Sequence, residues 1–235
     1  LALVKDVRVV LVDLAWQLVL MRRLSEDGPD AEALARYARR YLRPENRAVL
    51  HIVPQGTLAA ADVAAAVTDK TVLISIMHAN NEVGTIQPIE EISALAKKHD
   101  IVVHTDAAQS VGKIPVDVNQ LRVDLLSIAG HKVYAPKGIG ALYIRQGWQP
   151  AKLMHGAGQE MGVRPGTENV LEIVGLGMAC EIARRDLEKN MIHMQAMRDR
   201  LYDGLKNKCE RVRLNGHPQQ RLPNTLSLSF HDREA

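Results

Sequence analysis

The sequence predicts an α/β protein with a central, mostly parallel sheet covered by helices, followed by the beginning of a smaller C-terminal α+β domain. The main observation is a regular succession of short apolar, β-branched segments with helical segments between them, which is typical of parallel sheets. A second observation is that aromatics make up 3% of the chain while hydrophobic residues make up 46%. The core must therefore consist mainly of Val, Ile, Leu, Ala and Met.

Strands and helices alternate over the middle of the chain. The predicted strands are 49–53, 71–77, 101–104, 123–128 and 139–144, and the predicted helices are 59–67 and one that opens at Pro88. The run TVLISIM at 71–77 is apolar throughout, as in a strand buried on both faces. Pro88 suits the first position of a helix because its missing N–H has no partner there. Parallel sheets place active sites beyond the carboxyl ends of their strands, and we expect the reactive residues there.

The C-terminal part reads as mostly helical over 168–208, with a turn at Asn215 and Gly216 and an alternating strand at 225–230. Two apolar stripes recur at helical spacing, and we expect both to face the core. They consist of Leu171, Val174, Met178 and Ile182, and of Met191, Met194, Met197, Leu201 and Leu205. Residues 1–48 give no functional signal; we expect 49–190 to form part of a large domain and 191–235 to begin a smaller, truncated C-terminal domain.

Composition excludes several classes of function. Lysine and arginine number 30 against 27 acidic residues, and the basic residues are spread along the chain, so no nucleic-acid partner is expected. The apolar segment 1–21 is interrupted by Lys5, Asp6, Arg8 and Asp13, too often for a membrane span or a secretory signal. Two cysteines form neither a disulfide framework nor a metal site. A reducing, cytoplasmic location fits best.

Two residues at strand ends suggest a chemistry. Asp106 lies two residues past the strand 101–104, and Lys132 follows the strand 123–128. Alone, Asp106 is typical of a helix N-cap. A lysine amine forms a Schiff base, however, and an acid on a neighbouring strand keeps a pyridine nitrogen protonated. Together they form the pair that pyridoxal phosphate requires.

Four motifs then occur in one order: MHANNEVGTIQP (77–88), VHTDAAQSVGKIPVD (103–117), VDLLSIAGHKVYAPKGIGALYIR (123–145) and GAGQEMGVRPGTENV (156–170). Over roughly 49–230 they closely resemble the cysteine desulfurase and selenocysteine lyase family. This family belongs to the class V aminotransferase group of the fold-type I pyridoxal-phosphate enzymes. The resemblance implies the major-domain fold of those transferases, with 49–190 as the pyridoxal-phosphate-binding domain.

The resemblance also implies a role for each matching residue. Lys132 is the catalytic lysine that holds the cofactor. The other cofactor-binding residues are Asn81 near the ring hydroxyl and the substrate, Asp106 on the pyridine nitrogen, Gln109 on the ring hydroxyl, His131 on the phosphate, and Thr167 on the phosphate of the partner subunit. The last role implies a homodimer.

The implied activity removes sulfur from cysteine, or selenium from selenocysteine, leaves alanine, and passes the atom to an acceptor protein, as in iron–sulfur cluster assembly. An alternative is a catalytically inactive fragment, or a diverged non-enzymatic member that keeps the central sheet and the dimer surface. Another class V activity, such as an aminotransferase, is disfavoured by the NNE and RPGTEN motifs.

The resemblance is incomplete at both ends. Ala129 stands where the family usually has Ser or Thr, and nothing in 1–48 matches the family's glycine-rich phosphate loop or stacking histidine. The acceptor cysteine and the arginine for the substrate carboxylate would follow Ala235. We therefore expect the 235-residue chain alone to be inactive, or nearly so, as a desulfurase.

Overall fold

The computed structural model describes residues 58–150 and 154–230. The helices are α1 (Ala60–Ala66), α2 (Ile89–Ala96), α3 (Val170–Arg185) and α4 (Leu187–Lys208), with short 3₁₀ helices at Lys97–His99, Gly130–Val133 and Glu160–Gly162. The strands are β1 (Leu73–Met77), β2 (Val102–Asp106), β3 (Leu125–Ala129), β4 (Gly140–Ile144), β5 (Val212–Leu214) and β6 (Leu228–Phe230). The segment 1–48 and the predicted strand 49–53 lie outside the described residues. Within the described ranges, no helix has the length and apolar character needed to cross a membrane.

The larger sheet has the strand order β1-β2-β3-β4. The first three strands are parallel, and β4 is antiparallel to β3. The direction of β4 follows from the short connection between Ala129 and Gly140, because a parallel neighbour needs a longer crossover, usually a helix. The strands β5 and β6 form a separate antiparallel pair. The prediction of a mostly parallel central sheet is confirmed.

The core lies on one face of this sheet. Ile74 and Ile76 of β1 are buried, as are Val103 and Thr105 of β2, while their neighbours along each strand are half-buried. The helix α2 packs against β2 and α1 and buries an apolar face. Its first helical residue is Ile89, with Pro88 at the N-cap, one position later than predicted. Alternate burial along β1 and β2 therefore sets which side chains face the core.

The apolar stripe of α3 does not face the core. Leu171 is 87% exposed, Val174 66% and Met178 56%, so the prediction for this stripe is wrong. On α4 the result is mixed, since Met197 and Leu201 are exposed and the other members of that stripe are half-buried. Helical spacing identifies an apolar face but not what covers it. The predicted domain division after residue 190 falls inside α4 and stays a prediction.

A buried histidine joins the ends of β1 and β2. His78 is 4% exposed, and its Nδ1 lies 3.0 Å from the hydroxyl of Ser110. Its backbone N–H donates to the carbonyl of Asp106 at 2.8 Å, and its carbonyl accepts from the N–H of Gln87 at 2.8 Å. Burial lowers the pKa of His78 from 6.5 to about 4, because the charged ring would lose its hydration. A neutral ring therefore ties the turn after β2 to the end of β1.

Replacing Ile92 by Ala should lower the free energy of unfolding by about 2–5 kcal/mol, because the side chain is fully buried and the loss leaves a cavity. Ile192 on α4 is 65% exposed, and Ile192→Ala should change stability by less than about 0.5 kcal/mol. Urea denaturation of both variants checks this. Equal effects would show that the core is placed wrongly.

Stability should fall as pH drops from 6.5 towards 4. Between these values the unfolded chain binds more protons than the folded chain, because His78 has a pKa of about 4 when folded and 6.5 when unfolded. The loss due to His78 should approach about 3 kcal/mol at the acid end of this window. It should be absent above pH 6.5.

Urea titrations of the wild type and His78→Gln across this pH range measure the difference. His104, whose pKa is also lowered by burial, contributes in the same direction, so His78→Gln should reduce the slope without abolishing it. His99 is exposed, and His99→Gln is the matched control that should keep the slope of the wild type. An unchanged slope in His78→Gln would contradict the assignment.

Candidate active site

The candidate active site lies at the carboxyl ends of β1, β2 and β3. The register aligns Met77 with Asp106 and Asp106 with Ser127, so three parallel strands end side by side. The chain continues from them into Asn81 after β1 and into Lys132 after β3. Adjacent strands lie about 5 Å apart. Asp106 and Lys132 thus follow neighbouring strands at the same edge.

Asp106 is the last residue of β2 and is half-buried. Its Oδ1 accepts a hydrogen bond from the N–H of Ala108 at 2.8 Å, which orients the carboxylate over the turn that follows. The N–H of Ala107 donates to the carbonyl of Ser127 at 3.0 Å. Gln109 is half-buried in this same turn. The acid and the amide predicted to contact one ring are therefore neighbours on one short, hydrogen-bonded turn.

Lys132 lies in the 3₁₀ helix Gly130–Val133 that follows β3 directly. Gly130 is buried, and a Cβ there would lie 2.7 Å from the carbonyl oxygen of Ile139, so only glycine fits where the chain turns. The N–H of Ala135 closes the turn on the carbonyl of Gly130 at 3.1 Å. His131 and Lys132 are both exposed. The tight turn thus presents them to solvent at the edge of the sheet.

A second lysine holds the backbone of the first. The Nζ of Lys113 donates to the carbonyl oxygen of Lys132 at 2.9 Å. Burial, and then the positive charge of Lys132, lower the pKa of Lys113. Two ammonium groups close together also raise the local potential, which favours a bound anion. Sequence reasoning missed this contact, because the acceptor is a backbone oxygen that no side-chain pattern reveals.

His104 bridges the three parallel strands beneath Asp106. Its Nδ1 lies 2.7 Å from the hydroxyl of Ser75, and its Nε2 lies 2.8 Å from the hydroxyl of Ser127. Burial lowers the pKa of His104, and the negative charge of Asp106 opposes this. Both ring nitrogens have partners, as expected for a structural histidine. His104 and Asp106 share one face of β2, so a neutral imidazole leaves the carboxylate available to another cation.

The two asparagines of the NNE motif have different environments. Asn80 is buried, and its Oδ1 accepts from the N–H groups of Glu82 and Val83, both at 2.8 Å. Asn81 is exposed beside it, in the hydrogen-bonded turn formed by residues 80–85. The first asparagine therefore builds this 80–85 turn, and the second is presented by it.

Thr167 is exposed in the segment before α3. Among the described residues, no hydrogen bond joins Thr167 to the group at the sheet edge. The helix α3 itself packs against the Gly130–Val133 helix. The structure thus brings Asp106, Gln109 and Lys132 to one edge and leaves Thr167 in a separate loop. The roles of the predicted site residues stay predictions.

The chain matches known proteins over most of its length. The family model for aminotransferase class-V matches residues 45–235. Cysteine desulfurase IscS of Pectobacterium carotovorum is 46% identical over 198 residues, which are 82% of this chain and 48% of that protein. Cysteine desulfurase IscS of Methanosarcina thermophila is 50% identical over 175 residues, 74% of this chain and 43% of that protein. The chain thus spans about half the length of the curated relatives it matches.

Solved structures agree with these matches. A NifS-like protein superposes with a TM-score of 0.73 at 41% identity, covering 85% of this chain and 55% of the other. DndA from Streptomyces lividans gives a TM-score of 0.73 at 34% identity, covering 87% and 57%. The fold is therefore that of the pyridoxal-phosphate-dependent transferases, as predicted. On the family match and these likenesses together, the chain belongs to the class-V aminotransferase family.

Proposed function

We propose that this chain carries the pyridoxal-phosphate site of a cysteine desulfurase. One observation supports this above the others: Lys132 and Asp106 follow adjacent parallel strands at the same edge of the sheet. Members of this family use pyridoxal phosphate as their cofactor. The relatives named above are cysteine desulfurases, which favours cysteine over selenocysteine as the substrate.

The groups at this edge fit the cofactor in kind. Lys132 offers an amine for its aldehyde, and Asp106 offers a carboxylate for a protonated ring nitrogen. Gln109 and Asn81 offer amide donors for the ring hydroxyl. His131, with the positive charge of Lys113 nearby, suits a phosphate group. Ala129 contributes no hydroxyl.

When bound, the cofactor supplies an electron sink for bonds to the Cα of an amino acid. Asp106 would hold the proton on the ring nitrogen, with its carboxylate oriented by the N–H of Ala108. The amine of Lys132 would hold the cofactor through its aldehyde and would move a proton at the substrate Cα. Asn81 would orient substrate and ring from the hydrogen-bonded 80–85 turn. Each step uses a group at the same sheet edge.

The relatives also support proposals about partners. We propose a homodimer that passes sulfur to an acceptor protein, as in iron–sulfur cluster assembly, in the reducing cytoplasm. The exposed apolar face of α3, with Leu171 and Val174, supports the dimer, because such a face is costly to leave in water. The helix α3 begins three residues after Thr167, which is expected to reach the partner's cofactor. A second copy of the chain is thus the proposed occupant of that face.

Borohydride reduction in the presence of pyridoxal phosphate should label Lys132 alone. Lys132 is exposed at the edge, whereas the Nζ of Lys113 is hydrogen-bonded to a backbone oxygen. Peptide mapping locates the label, and the Schiff-base absorbance before reduction should disappear in Lys132→Ala. Cysteine added to the loaded chain should shift this absorbance.

Lys113→Arg keeps the charge and is the control that should still be labelled at Lys132. A label on Lys113 or Lys137 of the wild type would refute the assignment. Absence of any absorbance change on adding the cofactor would refute the proposed site.

Leu171→Glu should convert the dimer to a monomer, because it places a charge in the middle of an apolar contact. The position is 87% exposed in the single chain, so folding should be little affected. Sedimentation velocity gives the mass, and Ile192→Glu on α4, also exposed, should leave the dimer intact. A dimeric Leu171→Glu variant would exclude this face.

A further inference from the structure

The 80–85 turn, which presents Asn81, is held by a segment from much later in the chain. The N–H of Leu222 donates to the carbonyl of Gly84 at 2.8 Å, and the N–H of Ile86 donates to the carbonyl of Gln220 at 2.9 Å. A further bond runs from the N–H of His217 to the hydroxyl of Thr85 at 2.9 Å. The segment 215–222 thus packs against this turn and is joined to it by three hydrogen bonds.

Arg221 is the side chain at the centre of this contact. It is 6% exposed, and its Nη2 donates to the carbonyl of Val83 at 3.0 Å and to that of Asn215 at 3.3 Å. Its Nη1 lies 3.5 Å from the carbonyl of His217. Its Nε is buried with no hydrogen-bond partner in the part of the chain that the structure describes. A buried guanidinium with an unsatisfied donor is costly. The hydrogen bonds of Arg221 to three carbonyl oxygens offset part of that cost.

The backbones approach closely at the same place. Gly216 has a φ of +77°, and a Cβ there would lie 2.7 Å from the carbonyl oxygen of Val83. That oxygen is the one that Arg221 binds. On the other side, Nη1 of Arg198 on α4 donates to the carbonyl of Leu222 at 2.9 Å. The contacts therefore run without a gap from α4 through 215–222 to the turn that carries Asn81.

The charges around Arg221 come from α4. Arg198 and Asp199 both lie on that helix, and Tyr202 follows one turn later. Burial, then the charge of Arg198, lower the pKa of Arg221, while Asp199 and Tyr202 oppose this. The guanidinium is thus bound mainly by carbonyl oxygens of the two loops that it joins.

We propose that Arg221 is a positioning residue for Asn81, because it binds the carbonyl of Val83 and so makes the 80–85 turn, the 215–222 segment and α4 one cooperative unit. What Asn81 does for the cofactor rests on the proposed function. The contact of Arg221 with the 80–85 turn is independent of the proposed function. A change in the C-terminal part of the chain then alters the position of Asn81 through this side chain.

Hydrogen exchange on the cofactor-free chain tests the coupling. Arg221→Lys keeps the charge but loses the two-sided geometry. Exchange of the N–H groups of Asn80 and Val83 should accelerate about tenfold, together with that of Leu222, for the loss of one charged hydrogen bond. Arg122→Lys, at a half-exposed position, is the control and should change nothing. Acceleration confined to 215–222 would overturn the proposal.

A milder variant covers the case in which Arg221→Lys does not fold. Thr85→Val conserves shape and removes the hydroxyl that accepts from the N–H of His217. It should accelerate exchange of the same amides, though less. Acceleration confined to the 80–85 turn, with exchange of the Leu222 N–H unchanged, would again overturn the proposal.

Measurements of pyridoxal-phosphate binding test whether Arg221 acts through Asn81. Arg221→Lys should weaken pyridoxal-phosphate binding, measured by absorbance titration, by about threefold to tenfold, in line with a coupling of about 1 kcal/mol. In an Asn81→Ala background it should have no further effect. If the losses of affinity from the two substitutions add, Arg221 does not act through Asn81, and its role as a positioning residue is overturned. If the wild type binds no cofactor, the proposed function fails, and the exchange measurement still decides this inference.

Discussion

The parallel alignment of β1, β2 and β3 is the constraint on which the candidate site depends. Val103 and Thr105 of β2 are buried, so His104 and Asp106 must face the other way. Because side chains alternate along a strand, a shift of one residue would expose Val103 and turn Asp106 into the core. The penalty for that shift is the lost burial of apolar side chains. The hydrophobic core therefore also determines the direction of the acid.

Two neutral imidazoles support this edge from below. His78 and His104 each join a strand end to a neighbouring element through short hydrogen bonds. A lysine or arginine in their place would bring a positive charge close to Asp106 and compete for its carboxylate. Burial lowers the pKa of both histidines, so their rings form these hydrogen bonds to serine hydroxyls without carrying charge. The negative charge of Asp106 is then available to a ligand rather than to the scaffold.

Much of this arrangement can be predicted from the sequence, because apolar runs and strand-end residues are local signals. The strands β1 to β3 and the placement of Asp106 and Lys132 at their ends follow from such runs. The exposure of Leu171 and Val174 cannot be predicted in this way, since periodicity identifies an apolar face but not the element that packs against it. The contacts of Lys113 with Lys132 and of Arg221 with Val83 join residues 19 and 138 positions apart. Both end on backbone oxygens, which every residue carries, so no pattern of side chains indicates them.

The two lysines at this edge are held differently, because the Nζ of Lys113 is hydrogen-bonded and the side chain of Lys132 is exposed. In the proposed function the amine of Lys132 would hold the cofactor and move a proton at the substrate, and both roles would suit a fixed backbone with an exposed side chain. Gly130 and Lys113 fix the backbone on either side of the amine, and the side chain of Lys132 is exposed. The amine of Lys113 is less available to a ligand than that of Lys132, because its Nζ is hydrogen-bonded to the carbonyl of Lys132. The contact that holds the backbone of Lys132 is therefore also the contact that occupies the amine of Lys113.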